Sequence, residues 1–302
     1  MRRQLSPAAL PSRRSSLRNR ASVTARQTRA TVARLAVRGG VRASGERTLP
    51  EEAPVALSFG GTTQAVMMAT PDDLLDFGYG FALTEAIAGS GADIEAIEIV
   101  EAGEGYDVQM QLADSRQAAL AARRRRMAGP VGCGLCGIES IDEALRQLPE
   151  RSALEAQFTA GDIRAALGSL GAGQKLRAET GAVHAAGFYR PGEGMVMVRE
   201  DVGRHNALDK LIGGLARAGQ NTAGGAIVIT SRVSVDMVQK TVIAGSPVLI
   251  AVSTPTALSV RTAEAAGLTL IAIARGEDFE IFTRPDRITS GRTTHGVESD
   301  VA

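Results

Sequence analysis

At 302 residues with 44% apolar side chains, the chain has length and apolar content for one large domain or two ordinary ones. Aromatics are only 3% and Trp is absent, which argues against the stacking platforms of single-strand nucleic-acid binders; the longest apolar runs, Val248–Val252 and Leu268–Ala274, have strand length and not the roughly 20 residues of a bilayer span. The net charge of +1 conceals an asymmetry: residues 1–45 hold eleven Arg and no acid, leaving 23 basic against 33 acidic side chains in the other 257, a net of −10.

The basic arm has the Arg-, Ser- and Ala-rich make-up of a mitochondrial transit peptide, but a disordered extension or a start codon set too early is the plainer reading. No apolar core follows its first arginines, so it does not read as a secretory signal. Order is expected from Glu46. Thr70-Pro71-Asp72-Asp73 reads as a helix start, with a capping hydroxyl, Pro at the first helical position and acids in the first turn, the helix running to about Ala88. Ile94–Val100 and Tyr106–Leu112 alternate apolar and polar residues around Ala102-Gly103-Glu104-Gly105, the pattern of a hairpin. A basic helix ending in Arg123-Arg124-Arg125-Arg126 leads to the loop Gly132-Cys133-Gly134-Leu135-Cys136-Gly137, and Ile138–Leu148 reads as a further helix.

From about Arg151 the pattern changes. Phe158–Asp162 opens a helical stretch to Leu170, and two apolar runs, Ala185–Tyr189 and Met195–Val198, flank the turn Arg190–Gly194. Helices 203–218, 234–244 and 256–266 then alternate with strands Ala226–Thr230, Val248–Ser253 and Leu268–Ala274. Continuous apolar strands between amphipathic helices predict an α/β fold: a three-layer sandwich with a mixed, partly parallel sheet, plus a smaller N-terminal α+β part. The expected division is a 1–45 extension, a 46–150 region that includes the cysteine loop and its following helix, a 151–284 α/β domain, and a polar tail over 285–302.

Two cysteines in this length are cytosolic usage and no disulfide framework. Zinc binding, disulfide exchange and sulfur handling all use Cys-x-x-Cys. Structural zinc needs four ligands, and the three histidines (His184, His205, His295) lack both the His-x3-5-His spacing and the His-x-Glu of zinc deaminases. Disulfide exchange wants the pair at a helix N-terminus. Cys136 lies just before the expected helix at Ile138, whose field favours a thiolate. Glycines at 132, 134 and 137 leave both sulfurs sterically bare, which suits a group that visits two partners.

Arg199–Lys210 runs from a strand end into a helix with Asp201 as its natural cap, and His205 leans toward the buried stripe Leu208, Leu211, Ile212 and Leu215. Ser231-Arg232-Val233-Ser234 follows one strand, Ser253-Thr254-Pro255-Thr256 the next, and Ala274-Arg275-Gly276-Glu277-Asp278 the third. Hydroxyls, guanidinium groups and helix amides at neighbouring strand ends suit a phosphate or nucleotide-like ligand. Ordinary capping is the competing reading at each.

Taken together, these segments resemble the formate dehydrogenase accessory sulfurtransferase family. The resemblance rests on Met67–Asp72 with Gly80-Phe81 and Glu85, Cys133–Gly137, His184-Ala185-Ala186, Glu200–Lys210, Thr230-Ser231-Arg232 with Met237–Lys240, and Ser253–Thr256. One departure is Ser234-Val235-Asp236, where the family usually shows an aromatic residue and Glu. The resemblance implies a cytoplasmic sulfurtransferase that takes sulfur from a cysteine desulfurase as a cysteine persulfide. The sulfur passes to the molybdenum cofactor, bis-molybdopterin guanine dinucleotide, destined for formate dehydrogenase. It assigns the persulfide to Cys133, with Cys136 assisting, and the cofactor loop to Ile273, Ala274, Arg275, Gly276, Glu277 and Asp278. Ser231, Arg232, His205, Asn206 and Lys210 join that site as expected cofactor-binding residues. It also implies a cytidine-deaminase-like fold and a homodimer, with no resident metal, nucleic acid or membrane partner. A non-catalytic cofactor chaperone and a thiol-disulfide oxidoreductase remain the alternatives.

Overall fold

Residues 27–126, 148–150 and 157–289 are described by the computed structural model. Strands β1 (Arg29–Arg38) and β2 (Val41–Pro50) pair antiparallel across Gly39-Gly40, both at positive φ, as a ribbon of ten rungs. Order therefore starts well before Glu46, a correction to the expected extension over 1–45. Glycine and arginine content hid alternation that a two-stranded ribbon tolerates.

The expected hairpin forms as β5 (Ile94–Ala102) and β6 (Gly105–Leu112), joined to β3 (Ala53–Phe59) and β4 (Thr62–Ala69) in the order β4-β3-β6-β5. One face buries Val55, Leu57, Phe59, Val108 and Met110 with Phe77 and Phe81 of helix α1 (Leu74–Thr84). That helix starts at Leu74, after Asp73 in the left-handed region at φ 51°, and ends at Thr84. The expected start at Thr70-Pro71 fails because the Thr70 hydroxyl accepts the Val202 N–H (3.2 Å), a partner the local sequence does not contain. The basic helix is α2 (Asp114–Arg126). Cys133, Cys136 and all but the last residue of the expected helix Ile138–Leu148 lie outside the described residues.

The second half is a six-stranded mixed sheet in the order β13-β12-β11-β10-β8-β9, with β8 (His184–Arg190), β9 (Gly194–Asp201), β10 (Ala226–Ile229), β11 (Val248–Ala251), β12 (Thr269–Arg275) and β13 (Asp278–Ile281). Strands β10, β11 and β12 run parallel, and β8, β9 and β13 pair antiparallel. Helix α3 (Ala160–Gly173), closed by a Thr159–Asp162 capping box, packs Ile163, Ala166 and Leu170 on one sheet face. Short α4 (Lys175–Thr180) follows. On the other face lie α5 (Arg204–Arg217), α6 (Val235–Ala244) and α7 (Ala257–Ala265), contributing Leu208, Leu211, Met237, Val242 and Ala263. These are the three layers expected, with helix and strand ends within a few residues of their predicted positions.

The tail begins later than expected. β14 (Ile288–Thr289) pairs with β7 (Phe158–Thr159), and Arg287, 2% exposed, donates Nη1 to Gly267 O (2.8 Å) and Thr269 Oγ1 (2.9 Å). The two halves are welded where α1 crosses α5. A Cβ on Gly80 would lie 1.7 Å from Asp209 O, and one on Gly213 would lie 1.9 Å from Asp76 O. Asp76 accepts Arg199 Nε (2.8 Å) and Arg217 Nη1 there. One helix further, Lys240 Nζ donates to Thr84 Oγ1 (2.8 Å), Glu85 Oε1 (2.9 Å) and Asp209 Oδ1 (2.9 Å). Among the described residues no helix is long and apolar enough to cross a membrane.

Candidate functional site

Antiparallel β8 and β9 beside parallel β10–β12 bring the start of β8 and the ends of β9, β10, β11 and β12 to one edge of the sheet. This edge is where an open α/β sheet offers a ligand crevice. Its loops are laced by backbone. Val233 N–H donates to Thr254 O (3.2 Å), Thr256 N–H to Val233 O (3.0 Å), and Ile273 N–H to Ser253 O (3.2 Å). The Ser259 hydroxyl closes the second loop on Val233 O (3.1 Å).

At the centre, His205 in the first turn of α5 meets Asp236 in the first turn of α6 through Nε2 and Oδ2. Burial pushes the Asp236 carboxyl up. The hydrogen bond and charge of His205 outweigh it and hold that carboxyl well below the usual carboxylate range. His184, at the start of β8, is held below its ordinary 6.5 by burial and then by the Arg204 and Arg177 charges. Arg204 Nε is enclosed without a hydrogen-bond partner among the described residues. Arg232 and Arg275 are exposed. Two helix N-termini and these guanidinium groups give the edge a cationic rim suited to an anion.

The predicted site residues do not all gather there. Ser231 is buried and donates Oγ to Arg232 O (3.1 Å), within the first loop. Asn206 and Lys210 are buried to 2% and 0% exposure, with their donors engaged inside the protein. Asn206 Nδ2 reaches Met68 O (2.9 Å) and Asp201 Oδ1 (3.0 Å); Lys210 Nζ reaches Thr70 O (2.8 Å) and Asp201 Oδ2 (2.7 Å). These two side chains anchor the Met68–Thr70 segment and do not face the crevice. Asp201 is not the expected cap, a position Gly203 holds: it accepts the Gly203 N–H (2.7 Å) before the helix starts and the Thr70 N–H (3.0 Å) from across the chain.

The loop over 273–278 is built on an unusual residue. Ile273, β-branched, sits at φ 52°, beside the bulge between Ala272 and Arg275. That region costs a bulky residue about 1–3 kcal/mol unless its surroundings enforce it. Ala274 is buried; Arg275 Nε bonds Val252 O (3.4 Å); Gly276, at φ 60°, turns the chain into Asp278; Glu277 pairs with Arg164 (3.2 Å). Sequence reasoning missed Arg204, His184 and Asp236 as site residues. Asp236 sat in view as the third residue of Ser234-Val235-Asp236, but nothing local says that His205, 31 positions earlier, is its partner. Among the described residues no three His, Cys, Asp or Glu side chains gather as a metal site.

The model of the FdhD/NarQ family matches residues 50–289 of this chain. A sulfur carrier protein FdhD from Agrobacterium fabrum is 60% identical over 257 residues, 85% of this chain and 95% of that protein. The protein of the same name from Brucella abortus is 56% identical over 242 residues, 80% of this chain and 90% of that protein. In structure, a chain from Desulfotalea psychrophila described as a formate dehydrogenase accessory protein superposes with a TM-score of 0.70 at 23% identity. The likeness covers 87% of this chain and 100% of that one, and it speaks for the fold.

Proposed function

This chain belongs to the FdhD/NarQ family, and on that premise we propose that it is a sulfur carrier serving a formate dehydrogenase. A Cys133 thiolate attacks the outer sulfur of a persulfide on a cysteine desulfurase. The new S–S bond forms on Cys133 as the donor's S–S bond breaks, and the donor leaves as a thiolate. Cys136 then attacks the inner sulfur, releasing hydrosulfide toward the cargo and leaving a Cys133–Cys136 disulfide that a thiol reductant resets. The cargo is bis-molybdopterin guanine dinucleotide, taken as substrate and not as a resident group. The protein acts as a cytoplasmic sulfurtransferase on a core of the cytidine-deaminase-like kind.

The observation that carries the cargo half of this reading is the cationic strand-end edge, where Arg204 Nε is enclosed with no partner among the described residues and two helix N-termini meet through His205 and Asp236. Dinucleotide phosphates would take those donors, with Arg232 and Arg275 at the rim. The strained Ile273 turn is a preformed ledge for the guanosine end. A ligand there would meet a neutral His184 and the His205–Asp236 pair, whose remaining imidazole nitrogen is the one left to serve it.

The test is to express the full chain, wild type and Cys133→Ala, with formate dehydrogenase in cells lacking the native carrier. The reading expects formate oxidation to be lost in Cys133→Ala while the purified variant still binds guanosine diphosphate. Activation that survives Cys133→Ala supports a non-catalytic chaperone and overturns the sulfur-transfer half. Failure of the wild type to bind guanosine diphosphate overturns the crevice half.

A further inference from the structure

His184 opens β8 in register with Asp201 at the end of β9, and its neighbour Ala185 donates N–H to Thr230 Oγ1 (3.0 Å) just past β10. It thus stands between two strand ends, beside the start of α5. His184 and Arg204 are both half-buried. Neither ring nitrogen of His184 has a hydrogen-bond partner among the described residues, and Arg204 Nε is enclosed without one. Gly203, at the helix N-cap, has no side chain to cap the first-turn amides.

The acids around them are committed elsewhere. Glu200 of β9 accepts the Leu176 and Arg177 N–H groups of α4 (2.8 and 2.9 Å). Asp201 already takes donors from Thr70, Lys210, Gly203 and Asn206. Asp236 of α6 holds His205. Arg177 from α4 and Arg204 and His205 from α5 act on His184 against Asp201, and Arg232 stands exposed past the end of β10. An imidazole buried among guanidinium groups stays neutral in the empty site, because a further positive charge there is repelled and poorly hydrated. A phosphate beside it reverses that field.

We propose that His184 and Arg204 form a phosphate clamp in which His184 takes up one proton from solvent as the phosphate arrives. Arg204 Nε is a standing donor, and the charged imidazole adds a donor that exists only with the ligand in place. The clamp favours a phosphate-bearing ligand over a neutral nucleoside. The inference rests on the strand-end edge being the cargo site and adds to that reading a binding residue and a proton. Without ligand His184 titrates below its ordinary 6.5; with phosphate beside it the proton is held to higher pH. Between those two values binding takes up a proton, so affinity falls as pH rises, by up to about tenfold per unit.

The chain has three histidines, so the imidazole resonances of the histidine-labelled full chain can be followed through a pH titration by NMR. His184 is assigned by its loss in His184→Gln or, should that variant not fold, by exclusion with His205→Gln and His295→Gln. Guanosine diphosphate is expected to raise the His184 midpoint, and guanosine to leave it in place. Calorimetry in two buffers of different ionisation enthalpy should show more proton uptake by wild type than by His184→Gln, a difference that cancels the nucleotide's own titration near pH ~6. A His184 midpoint indifferent to bound diphosphate overturns the clamp and leaves the cargo reading of the edge intact. So does an equal shift with guanosine, or proton uptake no greater than that of His184→Gln. A wild type that does not bind the diphosphate overturns both.

Discussion

Asp201→Asn keeps the shape of a fully buried side chain and removes its charge. Asp201 is 0% exposed, and its two oxygens take four donors: Thr70 N–H (3.0 Å) and Lys210 Nζ (2.7 Å) on Oδ2, Gly203 N–H (2.7 Å) and Asn206 Nδ2 (3.0 Å) on Oδ1. An amide accepts on one atom only, so one pair of donors must face an NH2 group. Two unmet buried donors cost about 1–3 kcal/mol each, and stripping one partner from a buried ion pair costs about 3–5 kcal/mol. These figures describe the same atoms and are not summed, so the expected loss is about 3–5 kcal/mol. For a folded unit of this size that is a fall of about 10–15 °C in Tm. Urea unfolding at neutral pH followed by circular dichroism reads it directly. Asp201→Asn with Lys210→Met should regain part of the loss, because no unpaired charge then remains. A single variant within about 1 kcal/mol of wild type would refute the idea that this cluster holds the Thr70 turn against α5.

Other substitutions test the same framework. Asp236 is held below the ordinary carboxylate range, so its folded value lies under the unfolded 3.8; its stabilisation is present above that value and lost as pH falls through the folded one. The gap between wild type and Asp236→Asn should therefore close as pH falls through the folded value into strong acid. Both side chains are a third exposed, so the gap is of order 1 kcal/mol; one that grows in acid contradicts the pairing. Gly80→Ala drives a methyl into the Asp209 carbonyl and should cost about 3 kcal/mol or abolish soluble protein; an unchanged Tm would mean α1 and α5 are not so closely packed. Lys240→Met leaves Asp209 in an environment whose burial already raises its carboxyl. The charged form is then penalised above the raised folded value and the penalty is gone below the unfolded 3.8. Urea midpoints for this variant should improve relative to wild type as pH falls from the raised folded value toward 3.8, and a parallel pair of curves contradicts this.

Much of the second half was legible because its signals are local. Val248–Ala251 is a short apolar run between helices with clean boundaries, and the Thr159–Asp162 capping box announces α3 within three residues. What escaped depends on contacts across the chain. Thr70 carries every local mark of a helix cap, yet its hydroxyl and amide are claimed by Val202 and by Asp201, 131 positions away. Lys210 and Asn206 looked like ligand donors for the same reason: no local pattern reveals that the Met68–Thr70 carbonyls arrive to take them. The arm was missed because an Arg-rich, acid-free composition outweighed ten residues of tolerable strand sequence. The candidate site was half visible. Ser231, Ser253 and Ala274 do follow neighbouring strands to one sheet edge, whereas the His205–Asp236 contact required two helices to meet.

The central claim is that Cys133 carries sulfur. Intact-protein mass spectrometry after incubation with a cysteine desulfurase and cysteine tests it most directly, on wild type, Cys133→Ala and Cys136→Ala. The account predicts the mass of an added sulfur atom, removable by thiol reductant, on wild type and Cys136→Ala and on no Cys133→Ala molecule. Sulfur retained by Cys133→Ala, or a wild type that shows only an internal disulfide and never the added atom, would contradict it.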